Sequence, residues 1–145
     1  MSYRPQLRIA FGAVPSYRIR EAAALLGVSD DTVRRWAESG RFETSTEGGR
    51  LSIDGAALAA FAQSNAPERP HLGPIGGVSA RNQLTGLVTR VVRDTVMAQV
   101  ELQAGPFRIV SLMSREAADE LGLEPGTLAV ASVKATNVVI EIPAP

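Results

Sequence analysis

The sequence predicts two small domains of different class: a mainly α domain over residues 1–63 and an all-β domain over 79–145, joined by a linker at 64–78. Three observations predict this. Residues 64–78 hold three prolines and three glycines and show no periodicity, which is linker composition. Before them, Ala-rich stretches carry apolar residues at helical spacing behind two cap signals. After them, Val- and Ile-rich runs repeat with a period near two. A chain of 145 residues with 45% hydrophobic content suffices for two folded units of this size.

In the first domain Ile19, Ala22, Ala23 and Leu26 fall at i, i+3, i+4 and i+7, the stripe of a short amphipathic helix, and Gly27 is its stop. Ser29 reads as the N-cap of a second helix, its hydroxyl accepting from a free backbone N–H. Asp30 and Asp31 follow in the first turn, where the helix dipole favours acid. Val28 and Val33 flank the cap as a hydrophobic staple, Val33, Trp36 and Ala37 make the buried face, and Gly40 ends the helix. Between Arg41 and Ile53, Glu47-Gly48-Gly49-Arg50 suits a hairpin tip. Asp54 caps a third helix, on which Leu58 and Phe61 share a face with Ile53. Two helices around a tight turn, then a hairpin and a packing helix, make a winged helix-turn-helix.

The second helix of such a unit enters the DNA major groove, and its outward side chains are Asp31, Thr32, Arg34, Arg35 and Glu38, just beyond the Ser29 cap. Arg34 or Arg35 suits a guanine edge or a phosphate, Thr32 a phosphate or thymine methyl, and Arg50 on the wing the backbone or minor groove. Ser29, Asp31, Thr32, Arg34, Arg35 and Arg50 are therefore the candidate DNA-binding residues, and Trp36 is read as structural. Residues 16–62 resemble the small winged-helix modules of the MerR and phage-excisionase type. The resemblance rests on Glu21-Ala22-Ala23, Leu25-Leu26-Gly27-Val28-Ser29, Thr32-Val33-Arg34-Arg35-Trp36 and Gly40-Arg41. A module this small makes few phosphate contacts, so dimers or larger oligomers on repeated half-sites are expected.

In the second domain Leu87–Val92 alternates as a strand, and Thr95–Leu102 and Phe107–Leu112 supply two more, with Ala104-Gly105-Pro106 turning between them. Ser114 caps a short helix to Leu121 with Ala117, Ala118 and Leu121 inward. Leu123-Glu124-Pro125-Gly126 turns the chain, and Leu128–Val133 and Val138–Ile142 are read as the last two strands. Five strands with one short helix outline an OB-like barrel.

Residues Ser79–Ile142 resemble the molbindin (Mop) subset of TOBE domains. Three separated signatures carry this in the family's order: Ser79-Ala80-Arg81-Asn82-Gln83-Leu84; Ser114 ahead of Leu121-Gly122-Leu123-Glu124-Pro125-Gly126; and Val133-Lys134-Ala135-Thr136-Asn137-Val138-Val139-Ile140. The resemblance implies a bound molybdate or tungstate, each site built where domains of two protomers meet. Such an oxyanion is a tetrahedral dianion that only accepts hydrogen bonds, so backbone N–H groups, hydroxyls and one or two cations suit it. Carried over by position, the candidate ligands are Ser79, Ala80, Arg81, Ser114, Lys134, Ala135 and Thr136. Lys134 is the chain's single lysine. Ala117 departs from members with a second hydroxyl on the short helix, and Asn82 and Gln83 are read as holding the opening turn.

Composition bounds the remaining possibilities. Fifteen basic and fifteen acidic residues give zero net charge, and each half is close to neutral, which excludes a globally basic, phosphate-condensing chain. With no Cys and one His, His71 among prolines and glycines, neither disulfides, thiolate chemistry nor a two-histidine metal site is open. No protein-ligated metal cation and no enzymatic activity are expected. The longest apolar run, Ala56–Ala62, is far short of the roughly 20 residues that span a bilayer. Arg4, Arg8, Arg18 and Arg20 precede any acid but lie on no clean amphipathic helix, so a cytoplasmic location is expected. The functional expectation is a molybdate- or tungstate-responsive DNA-binding transcriptional regulator, a homo-oligomer (dimer or hexamer) with double-stranded DNA as its partner. The alternative is a molybdate storage or buffering protein whose helix-turn-helix serves protein interaction.

Overall fold

The computed structural model describes residues 15–68 and 77–144. Arg4, Arg8, His71 and the linker's residues 69–76 lie outside them. The chain divides into two compact units, one of residues 1–68 with 141–145 and one of residues 69–140.

The first unit runs β1 (Ser16–Arg18), α1 (Ile19–Leu26), α2 (Asp30–Glu38), β2 (Thr44–Glu47), β3 (Arg50–Asp54) and α3 (Gly55–Ser64). Gly27 closes α1 with φ at 68°, a left-handed conformation glycine adopts without a Cβ penalty. Ser29 Oγ accepts the Thr32 N–H at 3.2 Å and Asp54 Oδ2 accepts that of Ala57 at 3.1 Å, so both expected caps form. The β2–β3 hairpin turns through Gly48 and Gly49, both at positive φ as a two-residue primed turn requires. A short strand unforeseen in the sequence, β1, pairs with β3, giving the order β1-β3-β2. Ile19, Ala22, Ala23, Val33, Phe42, Ile53, Leu58 and Phe61 are buried together, with Val28, Trp36 and Ala37 packed against them. Trp36 and Phe42 each sit 5.0 Å from the Phe61 ring, the Phe42 contact edge-on.

The second unit holds β4 (Asn82–Arg93), β5 (Met97–Ala104), β6 (Phe107–Ser114), α4 (Arg115–Glu120), β7 (Leu128–Val133) and a 3-10 turn at Ala135–Asn137. Its antiparallel sheet has the order β6-β5-β4-β7. β4 is longer than its apolar alternation: Asn82–Leu87 pairs with β7 and Leu87–Arg93 with β5, so Asn82 and Gln83 are strand residues rather than an opening turn. Passing from one partner to the other curls the sheet into a half-barrel. Gly86 sits at this crossover, where a Cβ would overlap the Gln103 carbonyl and Ala104 Cα. The expected five-stranded barrel is corrected to four strands. Val138–Ile142 forms no strand: Val138 N–H bonds back to Ala135 O, and no sheet edge pairs with the residues that follow. Leu121, expected inward, is 66% exposed, while Ala118 and Leu123 supply the core contacts there.

Candidate functional site

In the first unit the candidate residues cluster on the outer face of α2. Val33 is buried and Trp36 and Ala37 half-buried, which leaves Asp31, Arg34, Arg35 and Glu38 exposed. Ser29 and Thr32 are partly engaged with each other: their hydroxyl oxygens lie 2.9 Å apart, and Arg35 Nη2 approaches Thr32 Oγ1 at 3.5 Å. Arg34 and Arg35 therefore present mobile-length cations above a hydroxyl-lined first turn, suited to phosphate or a base edge. Arg50 is exposed at the wing, in register with Glu47 across the glycine turn. Arg41 is spent on structure: its guanidinium lies 5.5 Å from the Trp36 centroid and 5.4 Å from that of Phe61, and its Nη2 donates to Asn65 Oδ1 at 2.8 Å.

Arg18 was not among the sequence candidates. Its guanidinium donates to the carbonyls of Glu47 at 3.1 Å and Arg50 at 3.4 Å, on either side of the wing tip. The available signal was an arginine at the helix N-cap, where a short hydroxyl or carboxamide side chain is the stabilising choice.

In the second unit the first and third signatures come together. Asn82 pairs with Val133, and Asn82 Nδ2 donates to Val133 O at 3.2 Å, so Arg81 and Lys134 follow as neighbours just past the paired end of β4 and β7. Arg81 and Ser79 are exposed and Ala80 half-buried. Lys134 is exposed and leads the 3-10 turn, its carbonyl accepting the Asn137 N–H at 2.9 Å, with Ala135 and Thr136 exposed beside it. Ser114 is not brought to them. It ends β6 opposite Met97, next to the register pair Ala98 and Arg93, at the other end of β4. That separation is on the order of 30 Å along an extended strand. There Ser114 Oγ caps α4, accepting the Ala117 N–H at 3.1 Å.

A charged group outside both sets sits on the sheet between β4, β5 and β6. Glu101 is buried; Arg108 grips it through Nε at 3.0 Å and Nη2 at 2.8 Å, and Arg90 Nη1 lies 3.6 Å away. The Arg108 guanidinium holds the Glu101 carboxyl below the ordinary carboxylate range against the opposing effect of burial. Asp94 is likewise lowered, chiefly by the Met97 N–H and then that of Val96, which bond it at 2.6 and 2.7 Å. Among the described residues no three His, Cys, Asp or Glu side chains are placed to share a metal ion. No helix among them is long and apolar enough to cross a membrane.

A winged helix-turn-helix with an arginine-bearing helix, followed by a β half-barrel with neighbouring cations at one sheet end, makes a chain of two structurally distinct parts. Comparison with known proteins agrees unit by unit: a helix-turn-helix domain model matches residues 16–66 and a TOBE domain model matches residues 78–140. Molybdenum-pterin-binding protein 3 of Clostridium pasteurianum is 41% identical over 64 residues, 43% of this chain and 94% of that protein. A molybdate-binding protein from Sporomusa ovata is 30% identical, covering 46% of this chain and 100% of that one with a TM-score of 0.45. The cytoplasmic molybdate-binding protein ModG, solved with molybdate bound, is 42% identical over 47% of this chain and 49% of that one, TM-score 0.45. The chain belongs to the TOBE-domain family of the molbindin, molybdenum-pterin-binding type, with an excisionase-like helix-turn-helix domain at its N-terminal side.

Proposed function

We propose that the protein is a molybdate- or tungstate-responsive DNA-binding transcriptional regulator acting in the cytoplasm. The observation that carries the reading is the conjunction, on one chain, of a helix presenting Arg34 and Arg35 to solvent and a sheet end that makes neighbours of Arg81 and Lys134. In this reading α2 enters the major groove, with Arg34 and Arg35 on base edges or phosphates. Ser29, Asp31 and Thr32 lie along its first turn, and Arg50 reaches the backbone from the wing.

The oxyanion is held by Arg81 and Lys134, the Ser79 hydroxyl and backbone N–H groups at Ala80, Ala135 and Thr136, with Ser114 supplied by a second protomer. The placement of Ser114 at the end of β6, at the opposite end of the sheet from Arg81 and Lys134, supports this division. The functional form is then a dimer or hexamer. Val138, Val139, Ile140 and Ile142 support it too: these side chains are 42–83% exposed in a segment with strong strand propensity and no strand partner.

The deciding experiment is a mobility shift on the duplex upstream of the protein's own coding region, with and without molybdate. Specific retardation that changes on adding molybdate is expected; no specific retardation under either condition overturns the regulator. One observation favours molybdate storage or buffering instead, with the helix-turn-helix serving protein interaction. The match to the Clostridium relative takes in 94% of that molybdenum-pterin-binding protein and only 43% of this chain, so almost all of it corresponds to less than half of this chain. Molybdate binding in calorimetry together with a silent mobility shift would select that alternative.

A further inference from the structure

We propose that Arg18 is the positioning residue of the wing: it fixes the backbone of the Gly48-Gly49 tip and thereby aims Arg50. This rests on the DNA-binding reading for the role of Arg50, but the anchoring itself does not.

The wing has little else to hold it. All four residues of β2, Thr44 to Glu47, are exposed, so no apolar side chain pins that strand to the core. The two tip residues are glycines and bring no side chain. The outer end of the hairpin, residues 46–51, has no buried side chain, and an unpacked two-stranded end is marginally stable in water, so the β2–β3 ladder alone leaves its turn free to fray. The Ser45–Ser52 hydroxyl contact at 3.0 Å and buried Ile53 secure only the base.

Arg18 closes the other end. β1 lies beside β3 with Arg18 opposite Ser52, so its side chain starts at the sheet edge and crosses β3 toward the tip. One guanidinium nitrogen, Nη1, reaches both Arg50 O and Glu47 O, the carbonyls that bracket the glycine pair. Ser16 Oγ adds a bond to Glu47 Oε2 at 3.2 Å from the same strand.

Position 18 is well placed for this work. As the N-cap of α1, an arginine cannot accept the free helical N–H groups, and its side chain makes no cap. The helix start is served in reverse, by Glu21 Oε2 accepting the Arg18 N–H at 2.8 Å. That fixes the Arg18 backbone while leaving its guanidinium to the wing. The hydrogen bonds are charge-assisted and point at carbonyls, so they order the tip without consuming the Arg50 side chain.

The test uses the full chain as wild type, Arg18→Ala, Arg18→Lys, Arg50→Ala and the Arg18→Ala/Arg50→Ala double variant. Amide hydrogen exchange at positions 47 and 50, the pair that closes the tip, is expected to speed up about tenfold in Arg18→Ala, to recover partly in Arg18→Lys, and to stay unchanged in Arg50→Ala, with the Trp36 melting curve unmoved. Affinity for the upstream duplex should fall about tenfold in Arg18→Ala, and the double variant should be little worse than Arg50→Ala alone, since Arg18 acts through Arg50. Unchanged exchange at the tip in Arg18→Ala overturns the anchor. Fully additive affinity losses overturn the positioning role and make Arg18 a contact of its own. A wild-type chain that shifts no DNA overturns the regulator reading and the purpose assigned to Arg50, while exchange at the tip still decides the anchor.

Discussion

The two units solve the problem of a small core differently. The first buries two aromatic rings, Phe42 and Phe61, with Trp36 half-buried against them and a full set of aliphatic side chains, and leaves only Leu25, Leu51 and Ile142 as exposed large hydrophobics among its described residues. The second has a core of Val, Ala and Leu inside a half-barrel, and thirteen large hydrophobics from Val78 to Ile140 stay exposed. Exposed apolar side chains that adjoin one another, as Val138, Val139 and Ile140 do along the chain, favour an interaction site. The contrast fits the proposed reading, in which the first unit is complete as folded and the second is finished by association around an oxyanion site divided between Arg81–Lys134 and Ser114.

Removing the aromatic centre of the first unit should break the comparison hardest. Phe61→Ala takes away the ring that Trp36 and Phe42 both touch, at a cost of about 3–5 kcal/mol. Trp36 is the only tryptophan, so its fluorescence melt reports this unit alone and should collapse while molybdate calorimetry is preserved. Loss of oxyanion binding in Phe61→Ala would show that the units do not fold independently.

Next in size is the exposed tail. Val139→Asp with Ile140→Asp places two charges on side chains now 79% and 83% exposed, so a monomer would tolerate them with little change. In an assembly they would be buried without partners, and oligomers are expected to dissociate with molybdate affinity falling about a hundredfold, roughly 2.7 kcal/mol. Light scattering and calorimetry measure both. Wild-type affinity in a monomeric variant would mean that one protomer completes the site. Smaller again are Arg81→Ala and Lys134→Ala, each expected to lower molybdate affinity about tenfold, in keeping with about 1.5–3 kcal/mol for a hydrogen bond to a charged group. Undiminished binding in both removes them from the ligand set.

The same contrast governs what could be read from sequence. Ser29, Asp54, Gly27 and the Gly48-Gly49 tip were legible because caps and turns are decided by a few neighbouring residues. β1 was not, because three residues hold no period and its pairing with β3 is tertiary. Asn82 to Gly86 form strand through pairing with β7 although Asn82 and Gly86 are poor strand formers, whereas Val138–Ile142 has strand propensity and no partner. Propensity was overruled in both directions by the supply of a neighbouring strand. The candidate ligands Arg81 and Lys134 were named separately by their motifs, and only the register of Asn82 with Val133 shows them as neighbours. Arg18 was hidden because its partners are carbonyls, which leave no trace in residue type.

Acidification offers a gentler probe of the second unit. Asp94 and Glu101 have carboxyls held below their ordinary range, the first by backbone N–H groups and the second by Arg108. A depressed folded value means that the stabilisation is fully present above the ordinary carboxylate range and is lost as the pH falls through the depressed values. The β signal of the second unit should therefore lose thermal stability on acidification from neutral pH, and Glu101→Gln should flatten part of that dependence. A variant with the wild-type pH profile would show that the Arg90–Glu101–Arg108 group contributes nothing through charge.

The smallest expected effect separates folding from recognition at a single atom. Ser29 Oγ caps α2 and also touches the Thr32 hydroxyl, so it serves the helix whether or not DNA is bound. Ser29→Ala should cost about 1 kcal/mol, since the freed Thr32 N–H can turn to water at an exposed helix end. Ser29→Asp restores an acceptor and sets a negative charge at the positive end of the helix dipole, so the Trp36 melt should return to the wild-type value. If the first turn of α2 faces the duplex, that same charge meets phosphate, and DNA affinity should fall below that of Ser29→Ala although stability has recovered. Full DNA affinity in Ser29→Asp would turn the first turn of α2 away from the duplex and leave recognition to Arg34, Arg35 and Arg50 alone.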